Sequence, residues 1–226
     1  MATLGSIASL VVLVAQAAEI QGAAPSKVWW VFLERTKTPL TVSNEEGEKL
    51  QAAHIGNFKR LFGLKKLVGA GPLQDVPGGT KRGIVVLTVA DLKAVHHCFL
   101  PDPYVQGHIF DVHAIPMDVL YGRFEVTNID PEGIEENRLV VFTSSFPVSS
   151  EVTKAHWNYV TSAGGSLKLR FAAASAGKDP VQGVAIFKSV DDSALQAWLD
   201  QDIVVKSGVL KATVYPQWLG KGSLAR

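Results

Sequence analysis

The chain repeats itself, and the repeat constrains its fold more than any composition figure does. Shifted by 100 positions, residues 83–116 lie over residues 183–216 without a gap. Gly83 meets Gly183, Asp91 meets Asp191, Ala94 meets Ala194, Asp102 meets Asp202, Val105 meets Val205 and Pro116 meets Pro216. The apolar pattern follows, with Ile84-Val85-Val86-Leu87 facing Val184-Ala185-Ile186-Phe187 and Ile109-Phe110 facing Val209-Leu210. Upstream the offset drifts, as loop insertions make it do. Trp30-Val31-Phe32 is matched to Val140-Val141-Phe142, and His54 to His156. The expected organisation is a leader at 1–26, a first unit at 27–124, a linker at 125–137 rich in Pro, Gly and acidic residues, and a second unit at 138–220.

Each unit reads as β-α-β-β-α-β. Val28–Leu33 is a continuous apolar run, as expected of a strand covered on both faces. Ser43 and Glu46 form a capping-box pattern that opens a helix ending before Gly63. Strands follow at Lys65–Ala70 and Gly83–Val89, a short helix capped by Asp91 runs to Phe99, and a last strand spans Ile109–Ile115. The second unit gives Leu139–Ser144, Glu151–Ala163, Leu167–Ala173, Val184–Lys188, Asp191–Leu199 and Val209–Tyr215. The fold class is therefore α+β, with two tandem ferredoxin-like units. Helices cover one face of each sheet. Trp and Val on the other face need a cover too, so the two units are expected to pack sheet to sheet as a pseudo-dimeric α+β barrel.

Composition narrows the classes of function. With 226 residues, 47% of them apolar, the chain can bury two cores. Twenty-two Lys and Arg against 21 Asp and Glu leave a formal charge of +1, with no excess to hold a nucleic-acid backbone. One cysteine, Cys98, forms no internal disulfide and is expected to be a buried, inert thiol. Residues 4–18 carry no charge and are too few to span a bilayer, so no integral membrane protein is expected. With Ala15-Gln16-Ala17 they fit a secretory signal, which places the protein outside the cytoplasm or in a periplasm; the absent positive n-region argues for a cytoplasmic protein instead.

Of the six histidines, His54 and His156 occupy matching places. His54 lies four residues after Leu50 and four before Phe58, on the apolar stripe of its helix. A core histidine satisfied by a carbonyl would show the same spacing. Asp102 and Asp202 follow the second helix of each unit, where an Asp also serves as a turn residue. If each Asp meets its His, the carboxylate fixes the tautomer and the far ring nitrogen is free for proton transfer. His96 and His97 are adjacent on a helix, and His108 and His113 fall on opposite faces of the last strand by parity. No metal-ligand spacing, phosphate loop or dinucleotide fingerprint occurs, so neither metal nor cofactor is expected.

His54-Ile55-Gly56-Asn57-Phe58, Ala70-Gly71-Pro72-Leu73, Arg82-Gly83 with its apolar run, Asp102-Pro103-Tyr104-Val105 and the closing Ile115-Pro116 together resemble the YCII-related (YciI-like) family of α+β barrels. The resemblance covers nearly all of 27–120. It implies sheet-to-sheet pairing and a pocket with a catalytic His54–Asp102 pair, Gly71 and Pro72 lining it. The second unit departs from this pattern: His156 and Asp202 remain, Gly-Pro-Leu becomes Ala172-Ala173-Ala174, and the proline after the aspartate becomes Ile203. His156 and Asp202 are therefore a weaker second pair. A dehydrochlorinase among the family's relatives points to a small-molecule lyase or isomerase, with muconolactone-isomerase-like chemistry. A non-catalytic ligand-binding or structural barrel is the alternative. The expected partners are an unidentified small molecule and the other half of the same chain, with further oligomers open.

Overall fold

The computed structural model describes residues 26–37, 42–127, 129–130, 133–163, 167–188 and 191–225. The expected leader, apart from Ser26, lies outside the described residues. The first half contains β1 (Lys27–Arg35), α1 (Asn44–Gly63), β2 (Leu67–Pro72), β3 (Lys81–Leu87), α2 (Leu92–Phe99), α3 (Pro103–Gln106) and β4 (Phe110–Gly122). The second contains β5 (Ile134–Thr143), α4 (Ser150–Ser162), β6 (Leu169–Ser175), β7 (Val181–Lys188), α5 (Asp192–Leu199), α6 (Ile203–Lys206) and β8 (Lys211–Gly220).

Local chemistry explains most of these elements. Ser43 opens α1 as a full capping box: the Glu46 N–H donates to Ser43 Oγ at 3.3 Å, and the Ser43 N–H donates to Glu46 Oε2 at 3.1 Å. The one-turn helices α3 and α6 were not expected, because four residues carry no helical period; each is started by its N-cap aspartate, Asp102 or Asp202. β4 runs seven residues past Ile115, and β5 begins at Ile134, inside the expected linker. There Glu135, Glu136 and Asn137 hide the strand, since pairing with Leu219, Trp218 and Gln217 of β8 sets the conformation and not local propensity.

The eight strands form one antiparallel sheet in the order β2-β3-β1-β4-β6-β7-β5-β8. The halves join edge to edge through the β4–β6 ladder, from Met117 opposite Ser175 to Gly122 opposite Phe171. At the other seam, Leu73 bridges Gln217 and the Gln74 N–H donates to Pro216 O at 2.9 Å. The sheet is thus curled and nearly closed, a continuous wall where two stacked sheets were expected. Strand twist favours this curling, and closure removes exposed edges.

The wall has a core on each side. Inside it, Trp30, Phe32, Ile84 and Ile115 of the first half pack with Leu139, Phe171, Ile186 and Tyr215 of the second. Outside it, Phe58, Leu61, Val95 and Phe99 from α1 and α2 cover Val31, Val85 and Leu87. Trp157, Val160, Leu195 and Leu199 from α4 and α5 cover Val140, Ala185 and Phe187. The central stretches of β1, β3, β5 and β7 are therefore covered twice, which is why they read as unbroken apolar runs.

That same double cover misleads the match between halves. Val31 pairs with Val85 and Ala114, while Val140 pairs with Ala185 and Val214. Val31 therefore corresponds to Val140, one residue away from the sequence match. Likewise Gly71 pairs with Ile84 and Ala173 with Val184, so the counterpart of Gly71 is Ala173, not Ala172. A strand apolar on both faces lacks the alternation that pins its register.

Candidate functional site

α1 buries His54, Asn57, Phe58 and Leu61 along the side that meets the rest of the fold. Opposite them Asp102, fully buried, ends the turn after α2 and caps α3. His54 Nδ1 lies 2.9 Å from both carboxylate oxygens of Asp102. Asn57 Nδ2 donates to Oδ2 at 3.1 Å, and the Tyr104 N–H donates to Oδ1 at 3.0 Å. A carboxylate is acceptor-only, so the contact with Asp102 places a proton on His54 Nδ1. Asp102 is thus both the turn residue and the partner of the histidine, two roles that the sequence offered as alternatives.

Neighbours hold the pair in place. Asn57 Nδ2 also donates to Cys98 O at 3.1 Å, and Arg60 donates to Asn57 Oδ1 at 2.7 Å. The Tyr104 ring stacks on the imidazole with centroids 4.6 Å apart at 21°, and Phe58 meets it edge-on at 4.4 Å. Above, the Tyr104 hydroxyl donates to Gln51 Oε1 at 2.6 Å on the exposed side of α1. Burial, helped by the Asp102 charge, pushes the Tyr104 phenol above its usual range, so Tyr104 stays a neutral donor. Asn57 and Tyr104 were missed by the sequence reading. Asn57 had a signal, since it stands three residues after His54 and shares its helix face.

The second half repeats the pair in a tighter setting. His156 Nδ1 is 2.5 Å from Asp202 Oδ2, and Asp202 Oδ1 accepts the Val204 N–H at 2.9 Å. Phe142 and Trp157 pack edge-on against the ring. His156 Nε2 is sealed and has no hydrogen-bond partner, and its side chain is 1% exposed against 7% for that of His54.

The other expected site residues sit elsewhere. Gly71 and Pro72 end β2 at the seam with β8, where a Cβ on Gly71 would stand 2.0 Å from Trp218 O. Glycine is needed there for the close approach of two backbones. His96 and His97 are exposed. His108 precedes β4 in the left-handed region at φ 51°, so the strand parity argued for it does not apply. Cys98 is buried, and burial pushes its thiol pKa up. Among the described residues, no group of three or more His, Cys, Asp or Glu is placed to hold a metal ion. Among them, too, no helix is long and apolar enough to cross a membrane. A cavity of about 20 Å³, room for one water, lies against Val28, Val68, Val119, Arg123, Phe124 and Phe171. Neither histidine–aspartate pair lines it.

Solved structures share this curled sheet with outer helices. The architecture is that of an α+β barrel. A candidate monooxygenase from Lactobacillus acidophilus NCFM is 10% identical, with a TM-score of 0.51 over 89% of this chain and 99% of its own. A second candidate monooxygenase, from Fusobacterium nucleatum, is 11% identical, with a TM-score of 0.55 over 88% and 96%. The siroheme decarboxylase NirDL is 7% identical, with a TM-score of 0.51 over 88% of this chain and 74% of its own. No protein-family model and no curated protein matches the chain.

These findings overturn the expected lyase or isomerase. The proteins that share the fold carry the names of oxidative and tetrapyrrole chemistry. The siroheme enzyme also raises the question of a heme. A site for one needs a cleft of several hundred Å³. Here Trp30 stacks on Phe171 at 5.9 Å and Phe124 closes on Phe171 at 5.0 Å inside the barrel. Outside, the spaces under the helices are filled by the two outer cores. The residues as arranged do not fit a tetrapyrrole.

Proposed function

We propose that the chain is an oxidative enzyme built as a single-chain α+β barrel, in which His54 takes a proton from a small acidic substrate such as a phenol or enol. Removing that proton leaves the electron pair on the substrate, which makes it easier to oxidise; dioxygen is the oxidant, one of its atoms forming a C=O at a carbon that gives up two hydrogens and the other leaving as water. The observation that carries this reading is the bonding of Asp102: it fixes the proton on Nδ1 of His54 and leaves Nε2 as the basic nitrogen. The monooxygenase names among the fold neighbours support the reaction class.

In this reading the two halves are tandem ferredoxin-like copies related to YCII-type barrels. The first is the working half, and the sealed His156–Asp202 pair serves as a brace. The Tyr104 ring and its bond to Gln51 cover His54, so the substrate enters when that cover swings aside.

The test is oxygen uptake with a panel of substituted phenols and enols. His54→Gln is expected to lower turnover by about 10²–10⁴-fold while circular dichroism stays unchanged. Full turnover in the folded variant overturns the proposal. His156→Gln serves as the control and is expected to affect stability alone.

A further inference from the structure

A third histidine site, distinct from the His54 and His156 pairs, lies near the junction of the two halves of the sheet. His113 on β4 is half-buried and has a carboxylate at each ring nitrogen. Its Nδ1 is 3.2 Å from Glu34 Oε1 on β1, and its Nε2 is 2.8 Å from Asp179 Oδ2 in the connection between β6 and β7. Glu34 belongs to the first half and Asp179 to the second, so one imidazole bridges them. A neutral imidazole has one N–H and could satisfy only one carboxylate; its other nitrogen would turn a lone pair on the other. Between two ionised carboxylates, only the imidazolium donates from both ring nitrogens.

The other charges facing the bridge agree. Lys81 on β3 donates to Glu34 Oε1 at 3.0 Å and stands over the Phe32 ring, and Thr80 donates to Glu34 Oε2 at 3.2 Å. The hydrogen bond from His113, joined by Lys81, pulls the Glu34 carboxyl down to about 2 despite its burial. The bond to Glu34 in turn raises the His113 pKa, with Asp179 adding to it and burial opposing. Tyr215 on β8 senses Glu34 and Arg82, and burial first of all keeps its phenol protonated. Arg82 is itself paired with Asp75.

Asp179 is built into its turn. It accepts the Val181 N–H on Oδ1 at 2.8 Å, and the same turn docks on β4 through the Ala176 N–H to Pro116 O at 2.9 Å. The strand register gives Thr213 as the counterpart of His113, since Phe32 pairs with His113 and Val141 with Thr213. The device therefore exists at one junction of the sheet and not at the other.

We propose that His113 is a proton-dependent clamp: as an imidazolium it ties the β6–β7 connection of the second half to β1 of the first, and loss of its proton frees that connection. The sign follows from linkage. The bound form has the higher affinity for the proton, so the clamp is complete below the ordinary histidine range and is lost as pH rises through the raised value.

The test uses the full chain. Proton NMR is expected to give His113 a titration midpoint above 6.5. Hydrogen exchange of residues 176–181 is expected to quicken severalfold, beyond the intrinsic pH effect, as pH crosses that midpoint. In His113→Gln, which keeps one donor and never ionises, the extra quickening should vanish. Asp179→Asn should lower the midpoint. A midpoint at or below 6.5, or the same pH-dependent quickening in His113→Gln, overturns the clamp.

Discussion

At the residue scale, the two histidine–aspartate pairs show how one motif can sit in two environments. Both aspartates cap a one-turn helix and both bind a histidine from the long helix before it. The sequence singled out all four residues, because their matching places in the internal repeat set them apart from the other histidines and aspartates. It did not place Asn57 and Tyr104, which complete the Asp102 site, since their counterparts in the second half differ in chemistry. Nor did it value His113, whose partners Glu34 and Asp179 are brought to it by strand pairing and by a loop of the other half. Asp202→Ala would leave the His156 Nδ1–H and the Val204 N–H without acceptors in a sealed site. The expected loss is about 3–5 kcal/mol of unfolding free energy, read by urea denaturation. A loss under about 1 kcal/mol would mean that the pair does not brace the second half.

At the element scale, the longer helices were legible, whereas the one-turn helices α3 and α6 and the strand limits were not. α1 and α2 announce themselves by a capping serine or aspartate and a periodic apolar face. β4 and β5 run further than their apolar runs, because the extra residues gain backbone partners on β6 and β8 that no local pattern reveals. The Gly71-Pro72 pair read as a pocket edge, whereas Gly71 stands where β2 meets the Trp218 backbone. Gly71→Ala would push a methyl group to 2.0 Å from that carbonyl. It should destabilise the fold by about 1–3 kcal/mol and loosen the β2–β8 seam first. Faster hydrogen exchange at Leu73 and Gln74 than elsewhere in β2 would show this, and unchanged stability would mean that the strands part there without cost.

For the whole molecule, the shared inner core sets the behaviour. Trp30, Phe32 and Ile115 face Leu139, Phe171 and Ile186 across the barrel, so each half holds only part of that core. Residues 26–127 expressed alone would expose this apolar inner face. They are expected to self-associate or precipitate, and to recover a single folded form when mixed with residues 129–226. A soluble, cooperatively melting monomer of the first half would show that the halves are independent units.

The sequence by itself determined the α+β class, the repeated order of elements and the matching places of two histidines and two aspartates, because these follow from local periodicity, caps and the repeat; that each aspartate meets its histidine was decided by the tertiary structure. Only the tertiary structure decided that the halves form one nearly closed sheet, that its registers differ by one residue from the sequence match, and that His113 lies between two carboxylates. Those features depend on which strand edges meet, and a strand apolar on both faces carries no mark of its neighbour or its register.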